Sequence, residues 1–374
     1  MSVLARTDTS IVGRWWWTVD RWTLLAMALL IAAGALLTLA ASPAVAERIG
    51  FDSFHFARRQ ILFLVPAVAL MLAISMLSAR SIRRLAAIGL VGGIVLLALT
   101  LVLGTEVKGA SRWLMLGSFS LQPSEFVKPF LIVVTAWMLA AQKDEAGIPG
   151  NLIAGALTAL VLVLLVAQPD FGMAIMVALV WCAQVFMAGL PLLWIGILAL
   201  VGGLAASLAY VTQPHVASRI DRFIDPSIGD TFQVETAIEA FANGGLLGRG
   251  PGEGIGKRVL PDAHTDFIFA VAGEEFGLLV CLFIIALFAF VMLRGYRRLM
   301  GEDTLFIMLA AGGLLTQFGL QAVINMGVNL SLLPTKGMTL PFISYGGSSL
   351  LALSIGMGMV IALTRRRPRR EVGR

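Results

Sequence analysis

Long apolar stretches alternate with short polar ones along nearly the whole chain. A bilayer core takes about 20 apolar residues as a helix. About ten such stretches can be traced, near 22–42, 59–78, 85–104, 124–141, 150–167, 171–188, 191–211, 266–293, 304–331 and 341–363. The pattern predicts an all-α polytopic membrane protein of about ten transmembrane helices, forming one domain over 1–374. Only one polar connection is long: 212–265, between the seventh and eighth helices. Within it, TFQVETAIEAFANGG (231–245) predicts a short amphipathic helix lying in the interface. Ile238 and Phe241 share one face with Val234 close by, Glu235 and Glu239 share another, and two glycines end it. The first apolar stretch exceeds the about 7–15 residues of a signal-peptide core, so it is read as a span, although Ala41, Ala44 and Ala46 imitate a cleavage site.

Arginines orient the bundle. Arg14 and Arg21 precede the first stretch; Arg80, Arg83 and Arg84 separate the second and third; Arg294, Arg297 and Arg298 follow the eighth; the tail reads TRRRPRR. With ten spans these fall on one side, together with the tails 1–21 and 364–374. That side is expected to be cytoplasmic, which makes 212–265 a periplasmic loop. Lys108, Arg112, Arg219, Arg222, Arg249, Lys257, Arg258 and Lys336 then lie outside, against the usual bias.

Composition agrees with this reading. Hydrophobic residues make up 58% of the chain and charged residues 13%, about half the charged share of a soluble domain. The net charge of +6 is explained by the orienting arginines, so nucleic acid is not an expected partner. Cys182 and Cys281 both sit in apolar runs, which argues against a disulfide framework. His55, His215 and His264 have no zinc-site spacing. GRGPGEGIGK (248–257) imitates a phosphate loop but carries Pro251 in place of the first glycine and Arg258 in place of Ser or Thr.

The polar groups that can carry chemistry gather at outer helix ends. In LPDAHTDFIFAVAGEEFG (260–277), Asp262, His264 and Asp266 stand at the membrane surface, where a general base can meet a polar substrate. Glu274 and Glu275 fall roughly 12–14 Å deeper, where structural ion pairing is the favoured reading. QPSEFVK (122–128) puts Glu125 and Lys128 on one helix face: either a self-contained ion pair or a cation for a pyrophosphate. KGASRW (108–113) brings Lys108 and Arg112 beside an interfacial tryptophan. Asp170 in QPDFG suits a turn. LPTKGMTLPFISYGGSS (333–349) adds Lys336 and the Ser348 hydroxyl in a broken helix start of the kind that lines cavities. One carboxylate among several cations suits transfer chemistry on a lipid-linked pyrophosphate.

Taken together and in this order, SRW, QPSEFVK, QPDFG, AIEAFANGGLLGRGPG, LPDAHTDFIFAVAGEEFG and LPTKGMTLPFISYGGSS resemble the SEDS family (shape, elongation, division, sporulation), from the first span to the last. The motifs are more similar to its division branch than to its elongation branch. The resemblance implies the SEDS fold with ten spans in the inner membrane, at the division septum. It implies a peptidoglycan glycosyltransferase that polymerises lipid II. Asp266 corresponds to the family's essential acid, and Glu125 and Lys128 match its residues at the start of the fourth span. Asp262 stands where many relatives carry Glu, with the H-T-D-F acid intact. Implied partners are lipid II, membrane lipids, a class B penicillin-binding protein (FtsI in division) and other division proteins. The resemblance fixes no cofactor, and a divalent cation (Mg or Mn) is compatible with such a site. The rival readings are a lipid II transporter, which needs polar access from both faces, and a non-catalytic scaffold, which would tolerate loss of Asp266.

Overall fold

A computed structural model describes residues 10–107, 110–117, 119–144, 147–225, 227 and 231–366. Helices appear where the apolar stretches predict them. They are α1 (Ile11–Thr18), α2 (Arg21–Arg48), α3 (His55–Ser75), α4 (Ala79–Leu103), α5 (Pro123–Lys143), α6 (Gly150–Ala167), α7 (Phe171–Met187) and α8 (Leu192–Thr212). Beyond these come α9 (Pro214–Ile224), α10 (Phe232–Gly244), α11 (Gly256–Val259), α12 (Ile268–Leu299), α13 (Leu305–Asn329) and α14 (Gly347–Leu363). Among the described residues, seven helices are long and apolar enough to cross a membrane: α2, α3, α4, α5, α6, α12 and α13. Shorter apolar helices in α7, α8 and α14 complete the expected set. The chain is an integral membrane protein.

Local chemistry sets the helix ends. Asp20 accepts a hydrogen bond from Trp22 N–H at 3.3 Å and so caps α2. Ser78 does the same for α4 from Ser81 N–H. Pro123 opens α5 at a position where its missing N–H costs nothing. Burial then sorts the bundle: 83% of the apolar window of α5 and 72% of that of α13 are buried, against 28% in α3, α4 and α6. The central pair α5 and α13 therefore faces protein, and polar side chains on it face protein too.

The two ends of the bundle differ. At one end Arg294 holds Asp20 through Nε at 2.6 Å and Nη2 at 2.9 Å, and Arg298 lies 3.0 Å from the same carboxylate. Arg366 N–H donates to Thr18 O, and Arg365 donates to Met76 and Leu77 carbonyls. The orienting arginines thus meet at one end, beside the first and last described residues. The motif residues lie at the other.

Three features depart from the expected pattern. The connection after α4 is a small antiparallel sheet, β1 (Thr105–Val107), β2 (Ala110–Leu116) and β3 (Phe119–Leu121), with β2 central. Trp113 pairs with Thr105, and Leu114 with Leu121. Second, α10 is docked on another helix through small residues and not through its apolar stripe. It packs along the first part of α12 on a face of small residues, Thr236, Ala237, Ala240 and Gly244, while Ile238 is exposed. A Cβ on Gly244 would come within 1.9 Å of Gly273 O, so only glycine allows this approach. Third, α12 breaks at Gly277, whose φ of +76° is left-handed. The freed N–H groups of Leu278 and Leu279 bond to Gly245 and Leu246 carbonyls, and those of Arg249 and Gly250 bond to Glu274 and Glu275 carbonyls.

That exchange makes 232–259 a re-entrant hairpin. Lys257 Nζ reaches Ala40 O at 2.9 Å, about 12 Å below the outer end of α2 at 1.5 Å per residue. The hairpin then climbs to Leu260, whose carbonyl accepts from Arg48 at 3.3 Å.

Candidate functional site

The site is built where α5, α7, α12 and α13 end at the non-arginine pole. Glu125 and Lys128, one turn apart on α5, pair at 2.8 Å; they are 5% and 2% exposed. Lys128 Nζ also lies 3.4 Å from Gln321 Oε1 on α13. Arg112 projects from β2. Its guanidinium donates to Pro169 O and sits 3.7 Å from Asp170. Asp170 meanwhile caps α7 by accepting from Met173 N–H at 3.3 Å. Lys336 enters from the 330–346 segment, and its ammonium donates to Gly172 O.

Lys336 is the electrostatic centre of this group. Burial pushes its pKa down to about 7; Lys128 and Arg112 push the same way, and Asp170 and Glu125 oppose them. On α9, Arg219 is lowered by burial and by Arg112 and Arg222, while Asp170 and Asp266 raise it. Arg219 thus lies within electrostatic reach of both acids, and it joins the two halves of the mouth.

Asp266 is half-buried in the turn that precedes α12. The main chain of Gly337 lies over it: a Cβ there would stand 3.1 Å from a carboxylate oxygen. Its carbonyl accepts from Asn325 Nδ2 at 2.9 Å and Asn329 Nδ2 at 2.8 Å. The mouth also carries buried polar atoms with no hydrogen-bond partner: Arg112 Nε, Ser124 Oγ and Asp170 Oδ2. Such atoms are costly unless a ligand engages them. Beside Lys128, a narrow crevice between α5, α7 and α13 is walled by Leu131, Ile132, Met176, Val180 and Trp181 among others.

The remaining sequence-derived candidates have other surroundings. His264 is 8% exposed, with its ring centroid 4.2 Å from Phe56 and 5.4 Å from Tyr345. Burial lowers its pKa to about 4, against the pull of Asp262, so the ring is neutral at physiological pH. Ser348 Oγ accepts from Gln122 N–H at 3.1 Å and donates to Ser120 O at 3.2 Å, which ties α14 to β3 and α5. Glu274 accepts from Ile255 and Gly256 N–H groups and lies 3.8 Å from Arg249. Glu275 accepts from Gly252 N–H at 2.9 Å and pairs with Lys257. These two acids hold the glycine-rich turn of the hairpin. Lys108 lies outside the described residues. Among the described residues no group of three or more His, Cys, Asp or Glu side chains is placed to hold a metal ion.

Sequence reasoning passed over Arg219, Gly337 and the α13 amides as site residues. One signal was available: Gln317, Gln321, Asn325 and Asn329 recur at every fourth position of an otherwise apolar stretch.

Known proteins resemble this chain over nearly its full length. The profile of the FtsW/RodA/SpoVE cell cycle protein family matches residues 21–369. A probable peptidoglycan glycosyltransferase FtsW from Caulobacter vibrioides is 48% identical over 97% of this chain and 94% of its own. Another from Escherichia coli O6:H1 is 36% identical over 89% and 83%. A chain of a solved peptidoglycan synthase complex that coordinates polymerization and crosslinking superposes with a TM-score of 0.74 at 28% identity, covering 92% of this chain and 97% of that one. The Thermus thermophilus rod shape determining protein RodA superposes with a TM-score of 0.68 at 29% identity, covering 93% and 97%. Sequence and fold agree over nearly the full length, and the chain belongs to the FtsW/RodA/SpoVE family, the SEDS proteins.

Proposed function

We propose that this protein is a peptidoglycan glycosyltransferase of the FtsW type, polymerising lipid II into β-1,4 glycan strands at the outer face of the cytoplasmic membrane during division. The observation that carries the reading is the composition of the mouth: Arg219 is within electrostatic reach of Asp266 and of Arg112, and Lys336 within reach of Arg112 and the buried Lys128. The names of the relatives support the same activity.

The chemistry follows from those charges. The 4-hydroxyl of the GlcNAc on an incoming lipid II attacks the anomeric carbon of the growing strand. Asp266 takes the hydroxyl proton as the new C–O bond forms. The bond from the anomeric carbon to the phosphate oxygen breaks, and undecaprenyl pyrophosphate leaves with the electron pair. Lys128, Arg112, Lys336 and Arg219 stabilise the charge that grows on it. A single displacement turns an α-linked donor into a β bond. The prenyl chains stay in the lipid phase, and only headgroups enter the mouth.

Both termini and the arginine-rich end are assigned to the cytoplasm, and the mouth opens outward. A class B penicillin-binding protein, FtsI in division, is the expected crosslinking partner at the septum. The similarity to a complex that couples polymerization with crosslinking supports that assignment.

The test is biochemical. The purified chain, with the transpeptidase site of its partner blocked, is given labelled lipid II in detergent. Glycan strands are expected. Detergent has no second compartment, so strand formation separates a polymerase from a transporter. Lipid II left unpolymerised with every cognate partner present would defeat the proposal.

A further inference from the structure

We propose that an amide stripe on α13, formed by Gln321, Asn325 and Asn329, is the positioning element of this site and holds base and cation to one rigid helix. The inference rests on the reading of Asp266 as the base.

The spacing of four puts the three amides on one face, each about 6 Å further along the axis. They are 0–1% exposed, so each must find polar partners inside the protein. Those partners belong to the site. Asn329 donates to Asp266 O and accepts from Ala270 N–H at 3.1 Å. In an unbroken helix Ala270 N–H would bond Asp266 O directly. Here Ala270 N–H donates to Phe267 O at 3.0 Å as well as to Asn329, and the Asn329 amide bridges it to Asp266 O, tying that turn of α12 to α13.

Asn325 adds a second grip. Its Nδ2 donates to Asp266 O at 2.9 Å and to Met338 O at 2.6 Å. Met338 follows Gly337, the residue lying over the Asp266 carboxylate. One amide thus fixes the acid and its lid to each other. The neighbouring carbonyls are held from the same side: Ser344 Oγ donates to Thr265 O at 2.5 Å, and Tyr345 N–H to His264 O at 3.0 Å. Gln321 completes the stripe. Its Nε2 donates to Thr339 O at 3.0 Å, and its Oε1 faces Lys128 Nζ at 3.4 Å. Pinning three consecutive carbonyls, with two amide donors on the one belonging to the acid, does more than satisfy a turn. It sets where the base stands, and an error of about 1 Å in such a group costs on the order of 100-fold in rate.

The division of labour makes the proposal testable. Asn325→Leu is nearly isosteric and also removes a buried Oδ1 that has no partner, so the protein should fold. Its kcat for lipid II polymerisation is expected to fall about 10- to 100-fold with little change in KM. Gln321→Leu, acting through Lys128 on the charge that grows on the leaving pyrophosphate, is expected to lower kcat roughly 3- to 10-fold. Thermal stability is measured beside both. If Asn325→Leu does not fold, Asn325→Ser, whose hydroxyl has one proton where the amide serves two carbonyls, is read in its place, with a smaller fall in kcat and an unchanged KM expected. Wild-type kcat and KM in both variants, with Asp266→Asn inactive, would overturn the amide proposal and leave the base reading standing. Activity in Asp266→Asn would overturn the base reading itself.

Discussion

Lys257 and Glu275 form a buried ion pair at the bottom of the re-entrant hairpin, 4% and 1% exposed. Lys257→Met removes the ammonium and keeps most of the apolar stem. Three acceptors lose their donor: the Glu275 carboxylate, Ala40 O and Gly252 O. Glu275 keeps only Gly252 N–H. Breaking a buried pair from one side costs about 3–5 kcal/mol, because the remaining charge is uncompensated. The cost falls on the hairpin, since Glu275 can regain water only if the 250–257 turn lifts away. Near 1.4 kcal/mol per tenfold, amide hydrogen exchange at Gly252, Ile255 and Gly256 should speed up by about two to four orders of magnitude, up to the ceiling set by global unfolding. Adding Glu275→Gln removes the stranded charge and should recover most of the protection. Exchange unchanged in Lys257→Met, or a double variant no better than the single one, would show that the pair does not hold the hairpin.

Three further outcomes follow from the same structure. Lys336, with its pKa near 7, carries its charge below that pH and loses it above, so kcat/KM should decline as pH rises through about 7; Lys336→Arg, charged throughout, should abolish that limb. Gly337→Ala places a Cβ 3.1 Å from the Asp266 carboxylate, so kcat should drop several-fold while KM stays near wild type; unchanged kcat would mean that the acid can move freely. At the other end, burial alone would raise the Asp20 carboxyl, but hydrogen bonds from Arg294 and Thr23 and the charges of Arg298 and Arg294 hold it below its ordinary value. A depressed carboxyl contributes stability above the unfolded value near 4 and loses it as pH falls through the folded one. Thermal melts of the wild type should therefore show an acid-side loss that Asp20→Asn lacks.

The spans were legible because lipid imposes one rule, about 20 apolar residues per crossing, which α2 to α6, α12 and α13 obey and the shorter apolar helices in α7, α8 and α14 approach. The arginine pole was legible for a similar reason. What escaped depends on contacts between distant segments. Gly277 reads as one more residue of an apolar helix, and its left-handed turn appears only when Gly245 and Leu246 offer carbonyls to the broken end. α10 has an apolar stripe that suggests the interface, yet its small residues decide its place because Gly244 lets its backbone touch that of Gly273. The same limit applies to the site. Charged residues at outer helix ends drew notice to Glu125, Lys128 and Asp266, whereas Asn325 and Asn329 look like tolerated polar residues until Asp266 O is found between them. Glu274 and Glu275, conspicuous in sequence, are engaged with the hairpin at membrane depth.

The central assignment is that one carboxylate takes the acceptor's proton. Asp266→Asn keeps size and shape and lacks only the basic oxygen. Purified with its partner, matched to wild type in thermal stability and supplied with labelled lipid II, this variant should bind the substrate and yield no glycan strands. Strands formed at the wild-type rate would contradict the account.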